Sequence, residues 1–342
     1  MEDQEIMLSQ INQPAFLVQN GGIICANQRA MQYMVEIGTP VSKLLISGKE
    51  EYSEFQSGSI YLIISLCGTE HPCCVTQLQD HQLFIVEESS ANAQLQVLAL
   101  AAQQLCMPLS EITLLLDRIT NIPDADKAQV KHNLYKLQRI IGNMSDAENL
   151  INSKPNMRTC EICSFMEEIL EKAQTLLCQS GVSLQYQLPN QPIFTQADPD
   201  LIKRAVYNLI SNAAKFGTKL KPIKITLKQN GNRVYMTVSG GALSNVPADN
   251  VFRRYSRQPG LEDPRFGLGL GMSFVHAATS AHGGTVLVEK TQDGTKVTMT
   301  LAITKSTQSV VRSPILIPDL YGGRDQALIE LSDILSYQLY MD

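Results

Sequence analysis

The chain predicts an α+β multidomain protein, and three observations carry that prediction. Residues 14–88 alternate apolar and polar positions between Gly and Asn turn signals, residues 91–151 follow a helical period, and strand and helix patterns mix again after Ser153-Lys154-Pro155. At 342 residues the chain exceeds one ordinary domain. The expected divisions are 1–90, a small antiparallel sheet with helices; 91–153, an antiparallel helical hairpin; 154–305, a two-layer α/β sandwich; and 306–342, a tail with an amphipathic helix.

In the first unit, Pro14-Ala15-Phe16-Leu17-Val18-Gln19 reads as a strand, Asn20-Gly21-Gly22 as a turn, Ile23 to Asn27 as its return, and Arg29 to Val35 as a helix. Residues 59–68 and 72–89 supply three more strands, broken at Gly68 and at Asp80-His81. Over residues 10–88 this order of elements resembles a PAS sensor domain, by pattern alone; a plain α+β dimerisation domain fits the same pattern.

Helical spacing then takes over. Leu95, Leu98, Ala102, Leu105, Leu109, Ile112, Leu116 and Ile119 form one stripe, and Val130, Leu134, Leu137, Ile141, Met144 and Ile151 form a second beyond the turn at Asn121 to Asp124. One hairpin cannot cover its own stripe, and two hairpins make a four-helix bundle. The segment 91–153 therefore predicts a homodimer, with packing against a neighbouring unit of the same chain as the alternative.

Composition limits the partners. Hydrophobic residues make up 44% and charged residues 18%, the profile of a globular chain. A net charge of -5, spread along the sequence, offers no cationic stripe for nucleic acid. The N-terminus lacks the pattern of a secretory signal, and the longest apolar run, Ile60 to Cys67, is far short of the roughly 20 residues of a spanning helix, so no membrane segment and a cytoplasmic location are expected. The eight cysteines are scattered and read as reduced thiols, including the isolated Cys160-x-x-Cys163.

In the third unit the spacing predicts helices over 161–179, 198–214 and 272–281, the second capped by Asp198-Pro199-Asp200. Strands are predicted over 182–187, 223–229, 233–239, 285–290 and 296–303, with Asn230-Gly231-Asn232 as a hairpin turn. Asn208 and Asn212 lie four apart and so share one side of a helix, with Lys215 one turn onward. Amide oxygens suit magnesium, and a lysine ammonium suits phosphate. Gly267, Gly269 and Gly271 alternate with Leu and Met before a helix, so their backbone can pass close to an anion.

Residues 197–216 (ADPDLIKRAVYNLISNAAKF) and 267–284 (GLGLGMSFVHAATSAHGG), with VFRRY at 251–255 between them, resemble the N box, glycine lid and F box of the histidine-kinase and heat-shock-protein-90-type ATPases. The resemblance implies ATP with magnesium as cofactor: Asn212 as magnesium ligand with Asn208 assisting, Lys215 on phosphate, Phe216 at the base, and Gly267, Gly269 and Gly271 over the triphosphate. With the first two units it implies a sensor histidine kinase of two-component signalling.

Two departures qualify that implication. Where the family writes S-H-E-L-R-T-P-L, this chain has Ala102-Gln103-Gln104-Leu105-Cys106-Met107-Pro108-Leu109, so Gln103 replaces the phosphoacceptor His and Gln104 its acidic neighbour. A carboxamide has no imidazole-type nucleophilic lone pair. Gly240 falls where the family places the Asp that accepts from adenine, which weakens a pocket otherwise supported by a charge-assisted bond of about 1.5–3 kcal/mol.

The expected function is a degenerate sensor kinase signalling by conformation to a response regulator or partner kinase. An ATP-Mg-dependent kinase or ATPase acting on a partner, and a ligand-binding scaffold, are the alternatives. Of the histidines, His132 is expected as a solvated helical residue, His276 and His282 as packing or capping groups, and His71 and His81 as strand-end surface residues. In the tail, Leu328, Leu331, Ile334, Leu335 and Leu339 predict an apolar helix face that docks on its own third unit or on a partner.

Overall fold

The computed structural model describes residues 2–87, 105, 108–119, 121–152, 155–216, 221–240, 271–291, 294–303 and 325–341. A short helix α1 (Glu2–Ser9) precedes the hairpin of β1 (Ala15–Gln19) and β2 (Gly22–Ala26). Asn20 and Gly21 make its turn at φ 50° and 76°, conformations that Asn tolerates and Gly prefers. Asn27 closes the hairpin. Its Oδ1 accepts from Ala30 N at 2.9 Å, capping α2 (Gln28–Gln32), and from Ala15 N at 3.1 Å.

After β3 (Leu45–Ser47) and α3 (Lys49–Glu54) come β4 (Ser59–Leu66), β5 (Thr69–Gln77) and β6 (Gln82–Val86). These strands run antiparallel in the order β2-β1-β6-β5-β4. The two-residue alternation divides their side chains between two faces. Phe16, Val18, Ile60, Ile64, Val75 and Phe84 form one core with Ala30 of α2, and Leu17, Leu83 and Ile85 pack on Leu8 of α1.

Helix α4 (108–118) and the long α5 (Asp124–Asn152) flank a turn in which Pro123 O accepts from Asp126 and Lys127 N. They meet through Leu109, Leu116, Leu134 and Ile141, drawn from the two apolar stripes. Ile112, Leu115, Ile119, Val130 and Leu137 remain 41–58% exposed in the single chain.

The third unit contains β7 (Arg158–Glu161), α6 (Ile162–Gln179), β8 (Leu184–Gln187), β9 (Phe194–Ala197), α7 (Pro199–Phe216), β10 (Ile223–Asn230), β11 (Arg233–Ser239), α8 (Gly271–Ala281), β12 (Val286–Thr291) and β13 (Gly294–Ala302). Strands β12-β13-β11-β10-β8 form its sheet, antiparallel except where β8 lies parallel to β10. Leu170, Val206, Ile210 and Val275 of the three helices share a core with Ile225, Val234, Met236 and Met299, which makes two layers. The small β7-β9 pair was not foreseen.

The two sheets join. β4 pairs antiparallel with β12 (Ile60 opposite Leu287, Ser59 opposite Val288), so one 11-stranded sheet runs through both units. Thr285 Oγ1 donates to Tyr61 O across the junction. Gly58, at φ 84°, lets the Val288 carbonyl approach to where a Cβ would lie 2.1 Å from it. Arg233 of β11 pairs with Glu50 (3.2 Å) and Glu51 (2.9 Å) of α3, and Thr300 Oγ1 donates to Glu51 at 3.1 Å.

The tail departs from the single amphipathic helix expected over residues 327–340. Helix α9 (Gln326–Glu330), capped by Asp325, ends after five residues; turns follow, then a short 3-10 turn over Tyr337–Tyr340 that Ser336 caps. Ala327, Ile329, Leu331, Leu335 and Tyr340 are all buried, on positions too irregular for one helix face, so the shape of the groove and two local caps override helical periodicity. The groove lies between α5 and the third unit, so the tail does dock on its own chain.

Candidate nucleotide site

Helix α7 begins at a complete cap. Asp198 Oδ1 accepts from Asp200 N at 3.1 Å and Leu201 N at 3.3 Å, and its Oδ2 accepts from Asn156 N at 2.8 Å. The Asp198 N–H donates to His282 Nε2 at 2.8 Å, and His282 Nδ1–H donates to Ala278 O at 2.6 Å. One neutral imidazole thus ties the end of α8 to the start of α7, and burial lowers its pKa. His276 packs on Tyr61 with ring centres 3.7 Å apart and bonds Ser280 Oγ at 2.9 Å. Both match the packing and capping roles expected.

This clamp sets α8 against the face of α7 that carries the two asparagines. A Cβ on Gly271 would lie 3.0 Å from Asn208 Oδ1 and 3.9 Å from Asn212 Nδ2. The first turn of α8, with its outward-pointing amides, therefore lies beside the N-box face. Asn208 is 1% exposed; its amide donates to Arg204 O at 3.0 Å, and its Oδ1 accepts from Arg139 Nη2 at 3.5 Å. Asn212, Lys215 and Phe216 follow on the same helix and are half-buried. Gln103, Gln104, Gly267, Gly269 and residues 251–255 lie outside the described residues.

Gly240 stands one residue beyond β11 at φ 135°, and a Cβ there would meet Ile223 Cα at 3.2 Å. Both conformation and contact suit glycine and oppose a side chain.

Four charged residues at the site were not singled out by sequence. Arg139 of α5 and Lys215 of α7 converge on one oxygen, Oδ2 of Asp333 in the tail. Arg204 Nε binds Glu330 Oε1 at 2.8 Å, and Arg139 Nε lies 3.8 Å from Glu330 Oε2. Arg204 also lies over the Phe274 ring, 4.7 Å from its centre. Burial works to raise the pKa of Asp333, but Arg139 and Lys215 outweigh it and hold the carboxyl below its ordinary value. Glu330 and Asp333, three apart amid apolar residues, were the available signal.

Two histidine expectations need correction. His132 is buried and not solvated: its ring nitrogen Nε2 bonds Ser332 O at 2.7 Å and the ring packs on Tyr340, because the tail covers this face of α5. His71 lies inside β5, buried, bonded to Thr69 Oγ1 at 2.7 Å and edge-on to Tyr33. The thiols of Cys160 and Cys163 are both pushed up by burial, the first to about 11, and Glu161 between them caps α6 through the Cys163 and Ser164 amides.

The sequence profile of the histidine kinase-, DNA gyrase B-, and HSP90-like ATPases matches residues 197–305. The adaptive-response sensory kinase SasA of Synechocystis sp. is 23% identical over 61% of this chain and 59% of its own. The sensor histidine kinase YcbM of Bacillus subtilis is 30% identical over 35% of this chain and 40% of its own, so this chain spans less than two thirds of either relative. Full-length ShkA, solved in complex with AMPPNP, shares the fold with a TM-score of 0.50 at 17% identity, over 62% of this chain and 47% of that one. Residues 197–305 therefore carry a histidine kinase-, DNA gyrase B- and HSP90-like ATPase domain, and the chain as a whole is similar to sensor histidine kinases.

Proposed function

We propose that this chain is a sensor-kinase derivative that retains a nucleotide-phosphate site, has lost histidine autophosphorylation, and signals by conformation to a response regulator or partner kinase. The observation that carries the reading is chemical: Gln103 and Gln104 stand where an imidazole nucleophile and its carboxylate neighbour are required. The phosphate side of the site fits the resemblance. Asn208, Asn212 and Lys215 share one helix face beside the start of α8, and a carboxylate oxygen already bridges Arg139 and Lys215, as a phosphate oxygen would. Magnesium bound there through Asn212, assisted by Asn208, would neutralise phosphate charge.

The adenine side fits less well. Gly240 offers no carboxylate, and its φ of 135° favours no replacement. Weak nucleotide binding follows, with phosphate contacts supplying most of it. The strand order β2-β1-β6-β5-β4 supports residues 1–90 as a PAS-like sensor, and the exposed apolar stripe of α4 and α5 supports residues 91–153 as a homodimeric four-helix bundle. Residues 154–305 are then the ATPase-type unit.

Equilibrium binding of ATP with magnesium to the full chain and to Lys215→Met tests the phosphate site. Saturable binding at millimolar nucleotide, weakened about tenfold by the substitution, is expected for loss of one charge-assisted contact. No difference between the two proteins would remove Lys215 from the site.

A further inference from the structure

The C-terminal tail has no role in the reading above, yet it places two carboxylates at the N-box helix. Glu330 is 1% exposed and Asp333 a quarter exposed, and between them they meet three cations from two elements: Arg139 of α5, Arg204 and Lys215 of α7. The tail is held there by more than charge. Leu331 and Ser332 are fully buried, Ser332 O bonds His132, and Tyr340 Oη donates to Leu328 O at 2.8 Å.

We infer that Arg139, from the bundle helix, is a phosphate-binding residue of the nucleotide site, and that Asp333 occupies its place between Arg139 and Lys215 until nucleotide phosphate displaces the tail. The inference rests on the nucleotide reading given above.

Three features point to exchange and away from a purely structural ion pair. First, both cations converge on a single oxygen, Oδ2 of Asp333, in the manner of one phosphate oxygen between two cations. Second, Asp333 is the more accessible of the two carboxylates, its side chain 26% exposed against 1% for Glu330, so it is the one that an anion from solvent can replace. Third, Arg139 Nη2 also reaches Asn208 Oδ1 at 3.5 Å, which sets the guanidinium at the asparagine face itself. Glu330 is the anchor, wholly enclosed on Arg204; Asp333, nearer to solvent, is the exchangeable group. Because Arg139 and His132 both belong to α5, tail release also frees the bundle helix, which couples nucleotide binding to the segment expected to carry the signal.

The test uses the full chain and its Asp333→Asn variant, which removes one charge and keeps the shape. Binding of ATP with magnesium is measured by equilibrium dialysis, together with chymotryptic cleavage after Tyr340, which is buried while the tail is docked. Tripolyphosphate with magnesium serves as a second probe that needs no adenine pocket. The expected result is about tenfold tighter binding of both probes to Asp333→Asn, with cleavage of the unsubstituted chain accelerated by either probe. Adding Arg139→Gln to Asp333→Asn is expected to weaken both probes about tenfold relative to Asp333→Asn alone, and unchanged binding would remove Arg139 from the phosphate site.

Equal affinity of the two proteins, with cleavage unmoved by ligand, would overturn the tail assignment and leave the nucleotide reading standing. Failure of every protein to bind either probe would overturn both. Tightened binding of tripolyphosphate without ATP binding would support the anion site and overturn the nucleotide reading.

Discussion

Gly240 shows how much backbone geometry bears on which side chain one position can carry. At φ 135°, with Ile223 Cα 3.2 Å from any added Cβ, the position disfavours the aspartate that the family uses there. Gly240→Asp is therefore expected to cost about 1–3 kcal/mol in chemical denaturation and to leave ATP affinity low. Full stability with improved affinity would mean that the glycine is a simple deletion of function. His132 gives a second residue-scale expectation. Burial lowers its pKa, which the bond to Ser332 O and Asp333 partly offset, and the neighbouring Lys136 lowers it further. A lowered folded pKa means that the stabilising contribution is present above the unfolded value of about 6.5 and fades as pH falls toward the folded one. Tail docking should loosen as pH falls below about 6.5, read as faster cleavage after Tyr340, and His132→Gln should flatten that dependence. A pH-independent cleavage rate in the unsubstituted chain would contradict it.

Among the elements, periodicity was a sound guide wherever one face is buried. The hairpin at Asn20-Gly21, the α7 cap at Asp198 and the β10-β11 turn all stand where their residues placed them, because each is decided by local chemistry. The asparagine pair was legible for the same reason. Arg139, Glu330 and Asp333 were not, since their partners lie 69 to 194 residues away and no spacing records such contacts. The tail misled in the opposite way: its apolar spacing read as one helix, and two caps with an irregular groove broke it. The β4-β12 junction was equally silent, because an edge strand carries no mark of the strand it will meet. Gly58 is its most sensitive point. With φ 84° and the Val288 carbonyl pressed against its Cα, Gly58→Ala should separate the edges and cost about 1–3 kcal/mol. Hydrogen exchange at the β4 and β12 amides would show it, and unchanged protection there would argue against a tight junction.

The whole molecule reads as a chain of contacts from the first unit to the candidate site. A continuous sheet runs from β2 to β8, α3 holds Arg233 through Glu50 and Glu51, and the tail links α5 to α7. Displacement at either end can therefore reach the other through packed elements without phosphoryl transfer. The proposed dimerisation would complete this picture: Leu115 of α4 and Leu137 of α5 are apolar and 58% and 46% exposed in the single chain. The double substitution Leu115→Glu, Leu137→Glu should convert a dimer to monomer in sedimentation analysis; a dimer that survives it would require another interface. Every step of this account assumes that no imidazole takes phosphate. The most direct measurement incubates the full chain with magnesium and ATP radiolabelled at the γ-phosphate, then compares acid-treated and alkali-treated protein. No acid-labile label is the predicted result, and label that survives alkali but is lost in acid would contradict it.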